Sequence, residues 1–568
     1  MQRPAAAPPG PHYKWIALSN TTLGIFMSLL NASSLIIALP AVFRAIHLNP
    51  LDAANFDYLL WILMGYMLVT AVFVVSFGRI GDMFGRVRMY NLGFAIFTAA
   101  SILLSITWSQ GTQGAMELII FRMLQAMGGA LLMANSAAIL TDAFPADQRG
   151  MAMGINQMAG LAGQFVGLIL GGVLVTIDWR WVFLINVPIG LFGTIWAYVQ
   201  LRETGERHPA RIDWWGNLLF AAGLTLLLVG VTYGIRPYGS SNMAWLSPFV
   251  MTTIAAGLVL LGVFVLVEYR VPQPMFEMHL FSIRAFSAGN IAGLTSSIGR
   301  GGLQFLLIIW LQGIWLPIHG YDFAETPLWA GIYMLPLTLG FLLAGPLSGY
   351  LSDRYGARPF ATGGMVLAAA SFLLLMALPA DFAYPLFAVI LFVNGISFGL
   401  FGAPNTTGIM NSVPARYRGA ASGMRATFQN TGMPLSIGVF FSFMILGLSA
   451  HVPSVMLRGL TAEGVPAALA ARLSHLPPVS YLFAAFLGEN PLATLLGPKI
   501  LHALPHASAA RLVGRSFFPS LIAGPFHSGL VVTLTFAIVM CLIAAGASWL
   551  RGGRFVYEEQ ASEGHHRA

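Results

Sequence analysis

Three arginines, Arg122, Arg300 and Arg425, stand inside long apolar runs of a 568-residue chain in which only 9% of residues are charged. A charge at such a place is costly, and it marks a ligand, a pathway or a pair that ties helices together. Asn31, Gln125 and Gln304 put amide groups into similar runs. Helix rise sets Arg122 about 10 Å and Asn31 about 24 Å from the ends of their runs, which are similar depths because the runs point oppositely. Arg300 sits at a comparable depth, so Asn31, Arg122 and Arg300 are expected to face one cavity. Guanidinium groups there would hold a carboxylate or phosphate in two-pronged fashion. The competing reading is that each arginine meets backbone carbonyls and only locks helices. Met27, Trp61, Met64, Trp310, Asn156, Gln157, Gln312, Gln429 and Asn430 could line such a cavity, since methionine and aromatic surfaces adapt to varied apolar ligands. The acids nearest the runs are Glu117 and Glu268, both near run ends. Glu117 lies five residues from Arg122, about 140° around a helix, which is a poor intrahelical pair.

A second cluster is charged and glycine-rich. Gly78-Arg-Ile-Gly-Asp82-Met-Phe-Gly85-Arg86 places one acid among Arg79, Arg86 and Arg88, with glycines where the chain must turn. A third, Gly163, Gly167, Gly171 and Gly172, spaces small residues four apart, which lets helices approach closely. No glycine-rich phosphate loop, zinc motif or nucleophile–histidine–acid set is present, so an enzyme, a metal and a cofactor are not expected. His502 and His506 are separated by Pro505, which spoils a helical ligand pair.

The elements that must position these residues are membrane helices. Hydrophobic residues make up 57% of the chain, far more than a soluble fold of this size can hide. Fourteen runs are long enough to span: 15–40, 57–77, 89–108, 115–140, 150–176, 181–200, 214–235, 246–268, 285–314, 328–351, 360–379, 383–410, 419–448 and 526–550. The formal charge of +8 suggests no nucleic acid, because the basic residues fall in short loops on one side. Only Arg44, Arg180 and Arg236 fall in short loops on the other, which predicts both termini in the cytoplasm. Residues 449–525 form one long outer connection, expected to lie on the surface as short amphipathic helices.

The chain repeats itself. Gly78–Arg86 recurs from Gly349 through Asp353 to Ala357, Asn135–Ile139 recurs as Asn405–Ile409, and Arg149–Gly154 recurs as Arg418–Gly423, at offsets of 271, 270 and 269. This predicts an all-α integral membrane fold of two six-helix halves with two helices inserted between them. The expected division is a tail 1–14, a first half 15–200, an insert with linkers 201–284, a second half 285–550 and a tail 551–568.

The Gly78–Tyr90 loop resembles the signature loop of the major facilitator superfamily. Arg122-Met-Leu-Gln125-Ala-Met-Gly128 is similar to its fourth-span motif. Trp179–Gly190 and Leu30–Pro40 resemble the fourteen-helix drug:proton antiporter branch. The resemblance implies alternating access, export of amphipathic organic molecules or drugs across a cell membrane, in bacteria the inner membrane, and protons as a possible second partner beside lipid. It also implies that Gly78, Asp82, Gly85, Arg86 and Asp353 act as a conformational latch, with Asp82 facing a helix N-terminus of the other half. The residues it leaves for substrate or coupling are Asn31, Arg122, Gln125, Arg300, Gln304, Arg425 and Glu117. Two departures stand out. The branch carries Asp where this chain has Asn31, and Pro where it has Leu168, so neither a titrating group nor a proline kink is supplied there. A receptor or sensor on the same fold is the alternative from another functional class.

Overall fold

Hydrocarbon offers no partner to a backbone amide, so each apolar run must satisfy its own hydrogen bonds as a helix. The computed structural model describes residues 12–552 apart from 49–54, 146–147, 204–212, 240, 415–416 and 488–489, and apart from the side chains of 149, 150, 353, 418 and 419. The helices are α1 (Tyr13–Ala45), α2 (Phe56–Phe84), α3 (Arg86–Ser105), α4 (Gly111–Ala143), α5 (Arg149–Ile177), α6 (Trp181–Gln200), α7 (Trp214–Gly234), α8 (Pro248–Glu268), α9 (Arg284–Ile318), α10 (Thr326–Ser352), α11 (Ala357–Ala377), α12 (Tyr384–Asn411) and α13 (Arg418–Ala462). Four short helices follow: α14 (Ala467–Ser474), α15 (Pro478–Leu487), α16 (Leu492–Ala503) and α17 (His506–Val513). The last is α18 (Phe517–Leu550). Fourteen of these, α1–α13 and α18, are long and apolar enough to span. The end that carries the Gly78–Tyr90 loop is called the basic end below.

The repeat is visible in the backbone and in the packing. Gly85 (φ 111°, ψ 126°) and Gly356 (φ 87°, ψ 155°) make the same turn between α2 and α3 and between α10 and α11. A side chain is strained at such a φ. At Gly85 it would also meet the Glu203 carboxylate, which accepts from the Arg88 amide at 2.9 Å. Inside the halves, Gln125 donates to the Ser101 hydroxyl at 2.8 Å, and Asn394 donates to that of Ser371 at 2.7 Å. Each is one buried amide–hydroxyl bond tying the third helix of a half to the fourth.

The long connection departs from expectation. α13 runs 45 residues, to Ala462, and α18 begins at Phe517, so both helices extend beyond the hydrocarbon-length runs. α15 does not lie on the surface. All ten of its residues are buried. Phe483 meets Phe43 of α1 and Phe56 of α2 edge-on, at 5.8 and 5.7 Å between ring centroids. Phe486 stacks on Phe305 of α9 at 5.1 Å. Apart from Ser480 and the Tyr481 hydroxyl, which donates to the Leu473 carbonyl, the segment Pro478–Leu487 is apolar, and wedging it between the two halves buries that surface. The glycines agree: a Cβ on Gly313 would stand 2.3 Å from the Ala485 carbonyl oxygen. Around this plug the halves also meet directly. Phe56 packs on Phe441 at 5.0 Å, and Gly172 abuts the Pro327–Leu328 backbone of α10. The end opposite the basic end is therefore sealed.

Candidate functional site

The first half builds a polar knot from four helices. Asn31 of α1 donates to the Gln125 side-chain oxygen of α4 at 3.0 Å, and Arg122 donates to the same oxygen at 2.5 Å. Asn186 of α6 donates to Asn31 Oδ1 at 3.2 Å, and Ser101 of α3 accepts from Gln125. The Arg122 guanidinium also lies over the Tyr66 ring, 4.3 Å from its centroid. All these groups are buried. A desolvated cation over an aromatic face gains about 2 kcal/mol. Arg122 is thus held by a ring and an amide, without a carboxylate or a backbone carbonyl, and its buried Nε is left without a hydrogen-bond partner. Asn31 serves here as both donor and acceptor, a role that an ionised Asp could not fill.

The second half holds Arg300 differently. α9 is interrupted at Gly301-Gly302, where close contact with Met433 and Phe440 of α13 leaves no room for side chains. The freed backbone groups are satisfied by one hydroxyl. Ser436 accepts from the Gly302 amide at 2.9 Å and donates to the Ile298 carbonyl at 2.5 Å. Broken helices in membranes are repaired by neighbouring Ser and Thr in this way. The break sets Arg300 at the end of a helical segment, with its guanidinium between the rings of Phe341 and Phe398 at 4.8 and 5.1 Å. Among the described residues no carboxylate pairs with it. Farther along α9, Trp310–Trp315 forms a π-helical turn, a distortion common at functional sites. Gln312 in that turn donates to the Ile37 carbonyl of α1 at 3.4 Å.

Arg300 opens on a cleft between the halves. Its walls are Gln164 from α5, Leu337, Thr338 and Phe341 from α10, and Gly395 and Phe398 from α12. Gln164 donates across the cleft to Gln304 at 3.4 Å. The free space is about 10 Å³, enough for one water. An organic substrate enters only if the halves part. Arg122 is not among the lining residues; it belongs to the knot inside the first half. Arg425 donates to Gln429 on its own helix at 3.0 Å. Glu117 accepts from the Ser109 hydroxyl near the sealed end.

The glycine-rich loop carries an ion triad. Arg86 lies 2.8 Å from Asp82 and 2.5 Å from Asp142 of α4, so all three charges belong to one half. The Asp353 side chain lies outside the described residues. Gly163, Gly167 and Gly171 touch the α1 backbone at Phe26, Leu30 and Ser34, whereas Gly172 faces the other half. Sequence reasoning missed Ser101, Asn186, Tyr66, Ser436 and Phe398. The offset of 270 between Ser101 and Ser371 was a usable signal; the others have none that spacing alone reveals.

The family model described as "Major Facilitator Superfamily" matches residues 21–437, most of the chain. The chain belongs to the major facilitator superfamily. As a member, it is a secondary transporter of small molecules embedded in a membrane, and the receptor alternative falls. It is 31% identical over 445 residues to the riboflavin transporter RibZ of Clostridioides difficile, covering 77% of this chain and 89% of that one. It is 30% identical over 505 residues to the methyl viologen resistance protein SmvA of Salmonella typhimurium, covering 87% and 93%. Among solved structures, a bacterial homologue of the lysosomal transporter Spinster, inward-facing and unoccupied, superposes with a TM-score of 0.56 at 15% identity, covering 96% and 98%. That likeness shows the superfamily fold.

Proposed function

We propose that this transporter exports amphipathic organic molecules by alternating access, with both termini in the cytoplasm of a bacterial cell membrane. The basic loops then face inward, as the positive-inside rule requires. The sealed end faces outward, and the structure is a state closed to the outside. The observation that carries this reading is the Arg300 cleft: a cation between two aromatic rings, in a space lined from both halves, in a molecule whose end opposite the basic loops is sealed by α15. α15 acts as the outer gate, since the halves cannot part at that end while Phe483 bridges them. Asp82 is free to leave the triad and meet a helix end of the second half once the basic end closes.

The unpaired guanidinium also sets a preference. A positive, aromatic-lined cleft repels cations and holds anionic or zwitterionic amphiphiles. The knot adds a second arginine and no acid. Purified protein in proteoliposomes tests both statements. Riboflavin phosphate, riboflavin and methyl viologen serve as an anionic, a neutral and a dicationic probe. Uptake into inverted vesicles, with the phosphate ester preferred and the preference lost in Arg300→Gln, is the expected result. No flux of any probe counts against export of this class. Stronger competition by methyl viologen, unchanged in Arg300→Gln, removes the charge preference.

A further inference from the structure

The two inserted helices, α7 and α8, bring two carboxyl groups together at the basic end, far from the Arg300 cleft. Asp213 caps α7, its Oδ1 accepting from the Gly216 amide at 2.8 Å. Glu268 is the last residue of α8, its Oε2 accepting from the Phe276 amide at 2.7 Å. Both residues are buried, at 5% and 2% exposure. Their second oxygens, Asp213 Oδ2 and Glu268 Oε1, are fully buried and have no hydrogen-bond partner. Both point at one place. A Cβ built on Gly216 would stand 2.2 Å from the first and 2.4 Å from the second, so the oxygens are no farther apart than those two lengths laid end to end.

Two ionised carboxylates have only acceptor oxygens, and cannot satisfy each other. Like charges this close, out of water, do not both stay ionised. The helix ends divide the roles. Asp213 sits at the N-terminus of α7, where the dipole and the Gly216 amide favour its charge. Glu268 sits at the C-terminus of α8, where the dipole opposes a negative charge. We propose that the pair is a proton site: Glu268 Oε1 carries one proton and donates it to Asp213 Oδ2, and release of that proton to the cytoplasm loosens the joint between the two halves.

The joint is the reason the proton matters. The segment after α8 is held from two sides. Glu268 binds it at Phe276, and Arg79 of the glycine-rich loop donates to the Gln273 carbonyl at 3.0 Å and to the Pro274 carbonyl. Phe276 in turn packs on Phe220 and Phe264 of the insert and on Phe428 of α13. One short strap therefore links the first half, the insert and the second half. Asp213 and Arg79 are the charged groups that act on Glu268 among the described residues. With the proton gone, the second buried charge repels Asp213 and draws Arg79 away from the strap carbonyls. This reading does not depend on which molecule is carried, and it places the proton on the insert, outside the substrate path.

The test uses the full chain in lipid vesicles and needs no substrate. Cys541 is the sole cysteine and is buried, so a fluorophore on Gln273→Cys reports the strap alone. Infrared difference spectra follow the carboxyl groups. Expected are a protonated-carboxyl band at neutral pH that disappears in Glu268→Gln, and a stepwise fluorescence change on raising pH that disappears in Glu268→Gln and moves to lower pH in Asp213→Asn. If Glu268→Gln fails to reach the membrane, the fluorescence step in Asp213→Asn decides alone. A wild type without the band, a step that is unchanged in the variants, or a step that follows sodium concentration rather than pH overturns the proposal.

Discussion

Phe483→Ala should tip the transporter toward the state open at the plugged end. Phe483 is wholly buried and bridges Phe43 and Phe56 of the first half from a helix packed on the second. When the halves part at that end, it keeps its own-side packing and loses these two rings. Each edge-to-face pair contributes about 0.5–1.5 kcal/mol beyond area burial. The plugged state therefore loses about 2 kcal/mol relative to the open one, which shifts their ratio roughly thirtyfold at about 1.4 kcal/mol per factor of ten. Spin labels on Gln113→Cys and Ala383→Cys, both exposed near the plugged end, read the separation of the halves. The expected result is growth of a longer-distance population in Phe483→Ala. Phe97→Ala, a truncation of a wholly buried ring inside the first half, controls for stability. It should lower the melting temperature and leave the distances alone. A folded Phe483→Ala protein with the wild-type distance distribution would refute the gate.

Gly172→Ala should act in the same direction, because its Cβ would stand 2.5 Å from the Leu328 Cα across the interface; Gly171→Ala, which strikes Ser34 within the half, should lower thermal stability without changing the inter-half distance. Gln125→Ala leaves buried Arg122 without its amide oxygen and should cost about 2–3 kcal/mol, the range of a hydrogen bond to a charged group, whereas Asn394→Ala removes one neutral hydrogen bond at about 1 kcal/mol; melting of the purified variants compares the two. Asp82→Asn should abolish proteoliposome flux while folded protein remains, and Asp353→Asn should have a smaller effect; normal flux in Asp82→Asn would exclude the latch. Asn31→Asp should make transport pH-dependent, measured as flux with and without a pH gradient, because it puts a titrating group into the knot that holds Arg122.

The sequence by itself determined the membrane, the helices and the duplication. Apolar length and backbone satisfaction are local constraints, so fourteen spans could be counted from composition, and a motif recurring at offsets of 271, 270 and 269 announced two halves. It also determined that Arg122 and Arg300 sit deep, because depth is only a count of residues along a helix. Tertiary structure decided what each arginine meets. The bond from Arg122 to Gln125 is a local one, three residues along the same helix, but rotation about the helix axes put Arg122 over Tyr66, and the break at Gly301-Gly302 put Arg300 between Phe341 and Phe398. The plug was hidden for the same reason. Pro478–Leu487 looks in sequence like any short apolar stretch of a loop, and only the space left between Phe43, Phe56 and Phe305 turns it into a seal. The carboxyl pair is the extreme case: Asp213 and Glu268 stand 55 residues apart, at opposite ends of a helical hairpin, and only the packing of α7 on α8 turns two isolated acids into one site.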